Sequence, residues 1–356
     1  MKGIILHGGR GTRLRPLTHT GPKQLIPIAN KPTSQYALED LRDAGITDIA
    51  IILGDVAPEK VIEYYGNGGK FGVKLTYLEQ GAPRGIAHAV GLCEGFVGGE
   101  DFVVYLGDNI LKGGINGFVK DFTGSDYYAM VLLTRVDNPQ QFGVARFEGD
   151  RLVGLIEKPK TPPSEYALVG IYFFRSGIFE MIRELKPSWR GEIEITEAIQ
   201  RVMDSGREVG YRKVSGWWKD TGRPEDILEA NQLVLSELEP LNRGRVEEGA
   251  MVSGRVRIGS GSTVRREATV RGPVIIGENC DIGPNTFVGP FTSIGDNVVI
   301  QGAEIENTII VGDSVIDCNR RIVDSLIGRS SRIVSADKNL PKGCKLIIGE
   351  GTTVSI

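Results

Sequence analysis

The stretch IGENCD-IGPNTF-VGPFTS-IGDNVV, residues 276–299, decides the fold of the second half of the chain. Each block of six begins with an aliphatic residue followed by glycine, and Ile300 begins the next block. A period of six that persists over several cycles is typical of a hexapeptide β-helix, in which one apolar residue on each short side points inward. The stretch therefore predicts a coil of short parallel strands around an aliphatic core.

The same pattern continues on both sides of this stretch. Upstream, Ile258 lies three periods before Ile276 and also precedes glycine. Downstream the spacing slips by one residue in places, which indicates bulges or loops. The downstream candidates for inward positions are Ile305, Val311, Ile316, Ile322, Ile327 and Ile333. We therefore predict a left-handed, hexapeptide-repeat parallel β-helix over residues 241–356.

The first part of the chain shows a different pattern, in which short β-rich runs alternate with amphipathic segments. Such alternation predicts an α/β domain, with a mainly parallel sheet covered by helices on both faces. Sheets of this kind bind ligands beyond the carboxyl ends of their strands. We assign residues 1–240 to one Rossmann-like domain. The predicted strands are Lys2–Leu6, Ile49–Leu53, Lys74–Leu78 and Phe102–Leu106, and the predicted helices are Ser34–Ala44, Pro58–Tyr65, Ile86–Gly95 and Pro224–Leu241.

Length and composition describe a folded protein of two domains. The 356 residues exceed one ordinary domain, and 40% hydrophobic with 24% charged residues is typical of globular proteins. No apolar run approaches the roughly 20 residues that cross a bilayer, and the glycines after Leu6 interrupt a signal-peptide core. We therefore expect a cytoplasmic protein without membrane association. The net charge of -3 gives no general attraction for nucleic acid.

The four cysteines lie far apart and show no paired spacing, which argues against a zinc site and against a disulfide framework. We interpret them as single buried thiols. They are Cys93, Cys280, Cys318 and Cys344.

A cationic, glycine-rich segment follows the first predicted strand. Residues 1–38 contain no Asp or Glu, and glycines directly after a strand allow backbone N–H groups to approach phosphate oxygens. The run LHGGRGTRLRP, residues 6–16, lacks the Gly-Lys-Ser/Thr of a Walker A loop. It also has Leu14 at the third glycine position of the dinucleotide fingerprint, which excludes a nicotinamide-dependent oxidoreductase. The basic residues of the segment are Lys2, Arg10, Arg13, Arg15, Lys23 and Lys31.

The motifs GGRGTRL, residues 8–14, and PKQL, residues 22–25, strongly resemble those of sugar nucleotidyltransferases, closest to the long-form glucose-1-phosphate thymidylyltransferases. The resemblance spans residues 1–238. It implies an enzyme that transfers a thymidylyl group from dTTP to glucose 1-phosphate, giving dTDP-glucose and pyrophosphate. Further motifs match in the family's order, at Gln80 with Gly85–Ala87, Leu106–Asn109, Phe142–Val144, Glu157–Pro159, Val169–Tyr172, Arg190–Thr196 and Trp218–Gly222.

The implied reaction is an in-line attack by an oxygen of the sugar phosphate on the α-phosphorus of the triphosphate. Negative charge gathers on the phosphate oxygens in the transition state, so positioned cations and N–H donors are needed. By resemblance, Arg13 and Lys23 grip the triphosphate, Lys158 binds the phosphate of the sugar, and Asp108 is the remaining catalytic residue. No general base is needed because the attacking phosphate oxygen is already ionised.

The resemblance also implies Mg²⁺ as cofactor, held by Asp108 and Asp220. Asp108 follows a predicted buried strand at its carboxyl end, and Asp220 precedes Thr221-Gly222. Two carboxylates and phosphate oxygens are enough to hold Mg²⁺. The alternative interpretations are a turn or helix-cap aspartate for Asp108 and a turn aspartate for Asp220.

The other predicted contacts are carried over from the resemblance. Gln24, Gln80 and Gly85 would read the pyrimidine base. For the sugar-phosphate residues there are alternative interpretations. Gly143 and Gly170 could equally be turn glycines, and Glu157-Lys158 could be an exposed ion pair. The predicted nucleotide contacts are Leu6, Gly8, Gly9, Gly11, Thr12, Gln24, Gln80 and Gly85. The predicted sugar-phosphate contacts are Asn109, Gly143, Glu157, Lys158 and Gly170.

Three positions depart from the family pattern and leave the fine nucleotide preference open. His7 stands where the family commonly has a small residue, and we interpret it as packed against the loop, with a phosphate contact as the alternative. Arg84 and His88 lie in the predicted base-binding segment at positions that vary. Thymine differs from uracil by one methyl group, worth at most roughly 1 kcal/mol of burial. UTP is therefore an alternative substrate, as is broad specificity.

Two alternative functions have less support. A non-catalytic regulatory subunit should lack the arginine, lysines and aspartates named above, and this chain keeps them. Hexapeptide β-helices also occur in acyltransferases, which generally rely on a histidine base, but all three histidines precede residue 89. We expect the β-helix to stiffen the protein or to mediate a homo-oligomer.

Overall fold

The computed structural model describes residues 1–335 and divides into two compact units. The first unit comprises Met1–Gly11, Thr20–Leu25 and Thr33–Asp220. The second comprises Thr12–His19, Ile26–Pro32 and the described residues from Thr221 onward. Two short segments near the N-terminus therefore group with the C-terminal half. The boundary between residues 240 and 241 stays a prediction.

Thirteen strands precede residue 221. Eleven of them belong to the first unit, and the second and third form a hairpin that belongs to the second unit. In chain order they are β1 (Lys2–His7), β2 (Pro27–Ile28), β3 (Lys31–Pro32), β4 (Asp48–Leu53), β5 (Lys74–Glu79), β6 (Phe102–Leu106), β7 (Asn109–Leu111), β8 (Ala129–Arg135), β9 (Gly143–Glu148), β10 (Arg151–Glu157), β11 (Tyr166–Phe174), β12 (Val209–Lys213) and β13 (Trp218–Asp220).

The α-helices lie in the first unit, apart from the last, which opens the C-terminal half. Within residues 1–335, no helix has the length and apolar character needed to span a bilayer. The helices are α1 (Thr33–Asp43), α2 (Pro58–Tyr65), α3 (Ile86–Gly91), α4 (Glu94–Val97), α5 (Asn116–Thr123), α6 (Ile178–Arg183), α7 (Ile195–Asp204) and α8 (Pro224–Ser236). Short 3-10 helices cover Thr12–Leu14, Leu17–His19, Lys23–Leu25, Gly69–Phe71 and Pro139–Gln141.

The large sheet of the first unit confirms the Rossmann-like α/β prediction. Its parallel part has the order β5-β4-β1-β6. β11 then pairs antiparallel with β6, β8 and β9. β12 extends the sheet parallel to β8, and β10 extends it antiparallel to β9. A separate antiparallel ladder pairs β13 with β7, the strand that follows β6 in the chain.

Both faces of the sheet are covered, as the near-continuous aliphatic strands require. Along β1, Ile4 and Leu6 enter one core cluster, whereas Ile5 enters the other. Successive strand residues point to opposite faces, so the sheet separates two cores. The helix α7 contributes Ile195, Ala198, Ile199 and Val202 to the first of these cores, where all four are buried.

The C-terminal half forms three parallel sheets of very short strands. Their orders are β14-β17-β20-β23-β26-β29, β15-β18-β21-β24-β27-β30 and β16-β19-β22-β25-β28, as expected of a β-helix. The strands are β14 (Leu241–Asn242), β15 (Arg245–Val246), β16 (Met251–Ser253), β17 (Val256–Ile258), β18 (Thr263–Val264), β19 (Thr269–Arg271), β20 (Val274–Ile276), β21 (Asp281–Ile282), β22 (Phe287–Val288), β23 (Thr292–Ile294), β24 (Val299–Gln301), β25 (Glu304–Glu306), β26 (Ile309–Ile310), β27 (Val315–Asp317), β28 (Arg321–Val323), β29 (Leu326–Ile327) and β30 (Arg332–Val334).

The register explains where the repeat slips. Val274 lies opposite Thr292, eighteen residues later, as three sides of six residues require. Ser293 lies opposite Ile309, only sixteen residues later. The inward residue of this coil is therefore Ile310, which is 1% exposed, and the prediction of Val311 is wrong by one position. The regular part is confirmed by the burial of Ile258, Ile276, Ile282, Val288, Ile294 and Ile300.

The thiols within residues 1–335 are buried and unpaired, as predicted. Cys93 lies in the core of the first unit, where burial raises the pKa of its thiol to about 12. Cys280 and Cys318 lie in the aliphatic core of the β-helix. Cys344 lies outside the described residues.

Candidate functional site

A buried ion pair stands where β1 and β6 end. The two strands are parallel neighbours, with Leu6 opposite Leu106, so the residues after each strand emerge at one edge of the sheet. Lys23 Nζ donates a hydrogen bond to Asp108 Oδ2 there. The two side chains are only 15% and 12% exposed. Two of the predicted catalytic residues are therefore in contact.

The environment of Asp108 keeps its carboxyl group ionised. Burial alone would raise its pKa. The ammonium of Lys23, its hydrogen bond and the amide of Asn109, 2.9 Å from Oδ1, together lower the pKa below its ordinary value. Asp108 occupies the two-residue turn between β6 and β7, but its side chain is bound to a cation rather than capping a helix.

The predicted nucleotide contacts of the first unit lie around the start of the glycine loop. Gln24 Nε2 donates a hydrogen bond to the carbonyl oxygen of Gly8 at 3.0 Å. A Cβ atom on Gly8 would lie 2.8 Å from Gln80 Oε1, and one on Gly9 would lie 3.9 Å from Lys23 Cε. Gly9 has a φ of 91°, which favours glycine. The loop backbone at Gly8 and Gly9 is therefore close to two of the side chains predicted to read the base and to the side chain of Lys23.

A backbone bridge fixes the segment around Gly85. Gln80 Nε2 donates to the Gly85 carbonyl oxygen at 3.3 Å. Ile193 N donates to Arg84 O at 2.8 Å, and Ala87 N donates to Ile193 O at 3.1 Å. Gly85 has a φ of 105°, and a Cβ atom there would lie 2.4 Å from Ile193 O. Only glycine fits at this contact between the two segments.

The second predicted metal ligand, Asp220, lies on a short ladder that begins one residue after Asp108. Asp220 is the register partner of Asn109 in the antiparallel β7–β13 pair. Opposed Cα atoms in such pairs are about 4.5–5.5 Å apart, and Asn109 directly follows Asp108. Trp218 Nε1 donates to Asn109 Oδ1 at 2.7 Å and holds the ladder. Asp220 therefore belongs to a strand and not to a turn.

The donor set around this ladder suits an ion that needs few protein ligands. Among residues 1–335, no group of three or more His, Cys, Asp and Glu side chains could hold a metal ion. Asp108 and Asp220 supply carboxylate oxygens, which are the ligands that Mg²⁺ prefers, and Mg²⁺ usually keeps several waters or phosphate oxygens. The residues present fit a magnesium ion completed by substrate.

Glu157 lies in a half-buried polar cluster at the end of β10. Its register partner is Gly143, where a Cβ atom would lie 3.3 Å from Glu157 Oε2. Thr196 Oγ1 donates to the same oxygen at 3.3 Å. Burial, followed by the neighbouring charge of Glu194, raises the pKa of Glu157. Gly143 therefore faces Glu157 from within a strand, and the turn interpretation is wrong for it.

Sequence reasoning gave no role to Arg190, although its segment was one of the matched motifs. Its guanidinium donates to Glu194 at 3.0 Å, to Glu192 at 2.8 Å and to Glu157 at 3.4 Å. Glu194 is 3% exposed and also accepts a hydrogen bond from Ser188. The alternation of charges in RGEIEIT, residues 190–196, was the signal that could have indicated this network.

Lys158 and Gly170 both have left-handed backbone conformations. Lys158 has a φ of 40°, and its N–H donates to Phe142 O at 3.0 Å. A lysine in this region costs about 1 kcal/mol, so surrounding contacts must hold it. Gly170 lies within β11, where a Cβ atom would lie 3.0 Å from Asn109 Oδ1. Gly170 thus packs on a predicted site residue and is not a turn glycine.

His7 is packed beneath the loop, as interpreted from the sequence. It is 2% exposed, and its ring meets the edge of Tyr65 at a centroid distance of 6.2 Å. Among the described residues, neither ring nitrogen has a hydrogen-bond partner. Burial lowers its pKa to about 3, against a smaller opposing effect of Asp108. His7 is therefore neutral at ordinary pH.

Gly11, Thr12 and Arg13 continue the glycine loop. Gly11 has a φ of 58°. Thr12 and Arg13 are exposed and lie on the 3-10 helix Thr12–Leu14, which belongs to the second unit and buries Leu14. Their phosphate contacts stay predictions.

A cavity of about 810 Å³ opens elsewhere in the first unit, between β10, the end of α7 and β12. Its lining includes Arg151, Gln200, Arg207 and Tyr211. None of the predicted site residues lines it.

Two family models and several known proteins are similar to this chain. The family described as Nucleotidyl transferase matches residues 2–237, and the GMPPB C-terminal domain matches residues 270–354. The low-salt glycan biosynthesis nucleotidyltransferase Agl11 of Haloferax volcanii is 49% identical, covering 100% of both chains. A glucose-1-phosphate thymidylyltransferase of Streptomyces antibioticus is 47% identical, covering 100% of this chain and 99% of its own.

A solved structure resembles about two thirds of the chain. It comes from Bacillus anthracis and is described as a glucose-1-phosphate thymidylyltransferase in complex with sucrose. Its TM-score is 0.63 at 45% identity, and the match covers 65% of this chain and 94% of the other.

Proposed function

The chain belongs to the nucleotidyl transferase family, as its motifs predicted, and we propose that it transfers a thymidylyl group from dTTP to glucose 1-phosphate. The products would be dTDP-glucose and pyrophosphate. The Streptomyces antibioticus relative and the Bacillus anthracis structure carry this activity in their names. Within the molecule, the main support is the buried Lys23–Asp108 pair at the edge where β1 and β6 end.

The proposed site grips the triphosphate with cations and backbone donors. Lys23 supplies a point charge beside the glycine loop. The planar guanidinium of Arg13 can donate hydrogen bonds to two phosphate oxygens at once. Both would stabilise the charge that develops on the α-phosphoryl oxygens during in-line attack. Backbone groups of the loop would supply the remaining contacts, from Leu6, Gly8, Gly9, Gly11 and Thr12.

The pyrimidine base would be read by Gln24, Gln80 and the backbone at Gly85. Gln24 is 1% exposed, and its Oε1 has no hydrogen-bond partner among the described residues. A buried acceptor without a partner costs stability, and an N–H of the base would satisfy it. Thymine and uracil share that N–H, so this contact alone does not distinguish dTTP from UTP.

The sugar phosphate would bind on the side of Glu157. The carboxylate of Glu157 would accept hydrogen bonds from sugar hydroxyls, and Lys158 would bind the phosphate. Asn109, Gly143 and Gly170 complete the proposed contacts. The close packing of Gly143 on Glu157 and of Gly170 on Asn109 supports a common subsite.

Nucleotidyl transferases of this kind generally use a divalent metal ion. We propose Mg²⁺, held by Asp108 and Asp220. When bound, the ion would neutralise charge on the phosphates. The support is the placement of Asp220 opposite Asn109, one residue from Asp108.

The alternative is uridylyl transfer or a broad specificity for sugar 1-phosphates. It is favoured by Agl11, whose name gives neither the base nor the sugar. A non-catalytic subunit is disfavoured because the Lys23–Asp108 pair is kept. The proposal includes a cytoplasmic homo-oligomer.

Pyrophosphate release measures the proposed reaction. Each of dTTP, UTP, ATP and GTP is combined with several sugar 1-phosphates in the presence of Mg²⁺. We expect the highest kcat/KM with dTTP and glucose 1-phosphate, and a strong loss in Arg13→Ala. Equal efficiencies with dTTP and UTP would contradict a strict thymidylyl preference. No release with any pair would contradict the enzymatic function itself.

A further inference from the structure

Two segments that adjoin residues of the proposed nucleotide site in the chain belong to the same compact unit as the β-helix. Thr12–His19 directly follows the glycine loop, and Ile26–Pro32 directly follows the turn Lys23–Leu25. The contacts of these two segments within the second unit indicate what holds them.

The segment Ile26–Pro32 is a hairpin that is hydrogen-bonded to the β-helix. Its strands β2 and β3 are joined by Ala29 and Asn30, with φ values of 47° and 62°. Positive φ at both central residues is typical of a type I′ turn. The turn presents Asn30 Nδ2 to the carbonyl oxygen of Ile294 at 2.6 Å. Ile294 is an inward residue of the β-helix, so the hairpin is bound directly to one of its coils.

Asn231 on α8 joins the hairpin to the next part of the same coil. Its Oδ1 accepts hydrogen bonds from Ala29 N at 2.9 Å and from Ser293 Oγ at 2.7 Å. Its Nδ2 donates to Phe291 O at 2.9 Å. Asn231 and Ser293 are both 0% exposed. A buried polar network with its members satisfied fixes one arrangement, because any displacement leaves a polar group unpaired.

Apolar contacts support the same arrangement. Leu235, Leu238 and Ile275 form a buried cluster against which Ala29 and Phe291 pack. The other segment also touches a coil, since a Cβ atom on Gly328 would lie 3.3 Å from Leu17 Cδ2. Both segments are therefore packed on the β-helix.

We infer that the β-helix anchors the two segments that flank Lys23–Leu25, with Asn30, Asn231 and Ser293 as positioning residues for nucleotide binding. The inference rests on the proposed function only for its kinetic readout. It gives the β-helix a role beyond stiffening and assembly. Loosening the hairpin should weaken nucleotide binding because Lys23 and Gln24 directly precede it in the chain.

The test compares Asn30→Gly with the matched variant Asn297→Gly. Both asparagines have left-handed φ values, 62° and 58°, which glycine adopts freely. Each loses one side-chain hydrogen bond, since Asn297 Nδ2 donates to Asp313 Oδ1 at 2.8 Å within the β-helix alone. Glycine also suits the second position of a type I′ turn, so Asn30→Gly should fold.

Two measurements are made on the full chain. We expect Asn30→Gly to raise the KM for dTTP about fivefold, with little change in kcat. This factor corresponds to the loss of one hydrogen bond worth about 1 kcal/mol. Hydrogen exchange of the amides in residues 12–25 should accelerate by a similar factor. Ser293→Ala should change both quantities in the same direction, and Asn297→Gly should change neither.

The two readouts separate this inference from the proposed function. Hydrogen exchange requires no substrate, so it tests the anchor even if dTTP is not used. Equal exchange in residues 12–25 of Asn30→Gly and Asn297→Gly would overturn the anchor. Faster exchange in Asn30→Gly with an unchanged KM for every nucleotide that is turned over would overturn the role in nucleotide binding.

Discussion

The ammonium of Lys23 donates a hydrogen bond to the carboxylate of Asp108, 85 positions further along the chain. Both side chains are largely withdrawn from solvent, so removing either one would leave the other charge buried and less well compensated. The pair lies beside the glycine loop, where the phosphates of a nucleotide are proposed to bind. One contact therefore links stability and activity.

Replacing Lys23 by Met should reduce both stability and activity. The variant removes the ammonium of Lys23 from the buried Asp108 carboxylate, which should cost about 3 kcal/mol of unfolding free energy. Pyrophosphate release should fall at least about 100-fold because a cation at the developing charge is lost. Urea denaturation and steady-state kinetics measure the two effects.

The double variant Lys23→Met/Asp108→Asn distinguishes the two effects. It removes the uncompensated charge, so most of the lost stability should return while activity stays low. Lys60→Met is the control, because Lys60 is an exposed lysine of the same unit. A double variant no more stable than Lys23→Met alone would contradict the buried charge as the cause.

Asp220→Asn tests the second proposed metal ligand. We expect the Mg²⁺ concentration for half-maximal pyrophosphate release to rise at least about 10- to 100-fold, since the loss of a residue that only supports a metal ligand already costs that much affinity. Asp121→Asn is the control, because Asp121 pairs with Arg212 at 2.6 Å on the surface. The same Mg²⁺ dependence in both variants would exclude Asp220 as a ligand.

His7 should make stability depend on pH in weakly acidic solution. Its pKa falls from 6.5 to about 3 on folding, because burial excludes the charged form. Between these values the unfolded chain binds a proton that the folded protein does not, so stability falls as pH is lowered. The expected contribution is a loss of about 2 kcal/mol between pH 7 and pH 5.

His7→Leu should remove this contribution. Its unfolding free energy should therefore decline less steeply over the same range, as measured by urea denaturation at several pH values. His19→Gln replaces an exposed histidine and is the matched control. A slope for His7→Leu as steep as that of the unmodified protein would show that His7 does not carry the effect.

Glu157 should make sugar-phosphate binding depend on pH. Burial and Glu194 raise the pKa of Glu157, so its carboxylate is protonated at a higher pH than an exposed glutamate. Protonation removes an acceptor for sugar hydroxyls, and the KM for glucose 1-phosphate should rise as pH falls. Since the sugar phosphate also titrates, the comparison is made with Glu157→Gln.

The ratio of KM between Glu157→Gln and the unmodified protein should therefore shrink toward acid pH. Glu192→Gln alters a neighbouring acid that also binds Arg190, and its ratio should stay constant. If the Glu157→Gln ratio does not vary with pH, Glu157 does not bind the sugar as a carboxylate.

Local periodicity predicted the elements of the fold well. The four predicted strands differ from the observed ones by at most one residue at each end, and α2 has both predicted bounds. Apart from β5, whose residues are partly or fully exposed, these segments have buried faces, so their apolar pattern reports their environment directly. The predicted helix Ile86–Gly95 is divided into α3 and α4, and the predicted Pro224–Leu241 ends at Ser236.

Contacts between segments that are distant in the chain could not be predicted from local sequence patterns. The sequence placed Lys23 and Asp108 in one site by resemblance, but their direct pairing depends on β1 and β6 being neighbours. The antiparallel direction of β11 and the three-carboxylate contact of Arg190 depend on tertiary packing in the same way. Likewise, nothing in the local sequence of Ile26–Pro32 indicates that it binds a coil more than 260 residues away.

The contact of Gly85 with Ile193 limits how the proposed base site can be altered. Any side chain at Gly85 would collide with the Ile193 backbone, so the main-chain path at this proposed site cannot be remodelled by a substitution of Gly85. Variants with a new preference must instead differ in side chains such as Gln24 or Gln80. Libraries for engineering substrate choice are best concentrated there, with Gly85 left unchanged.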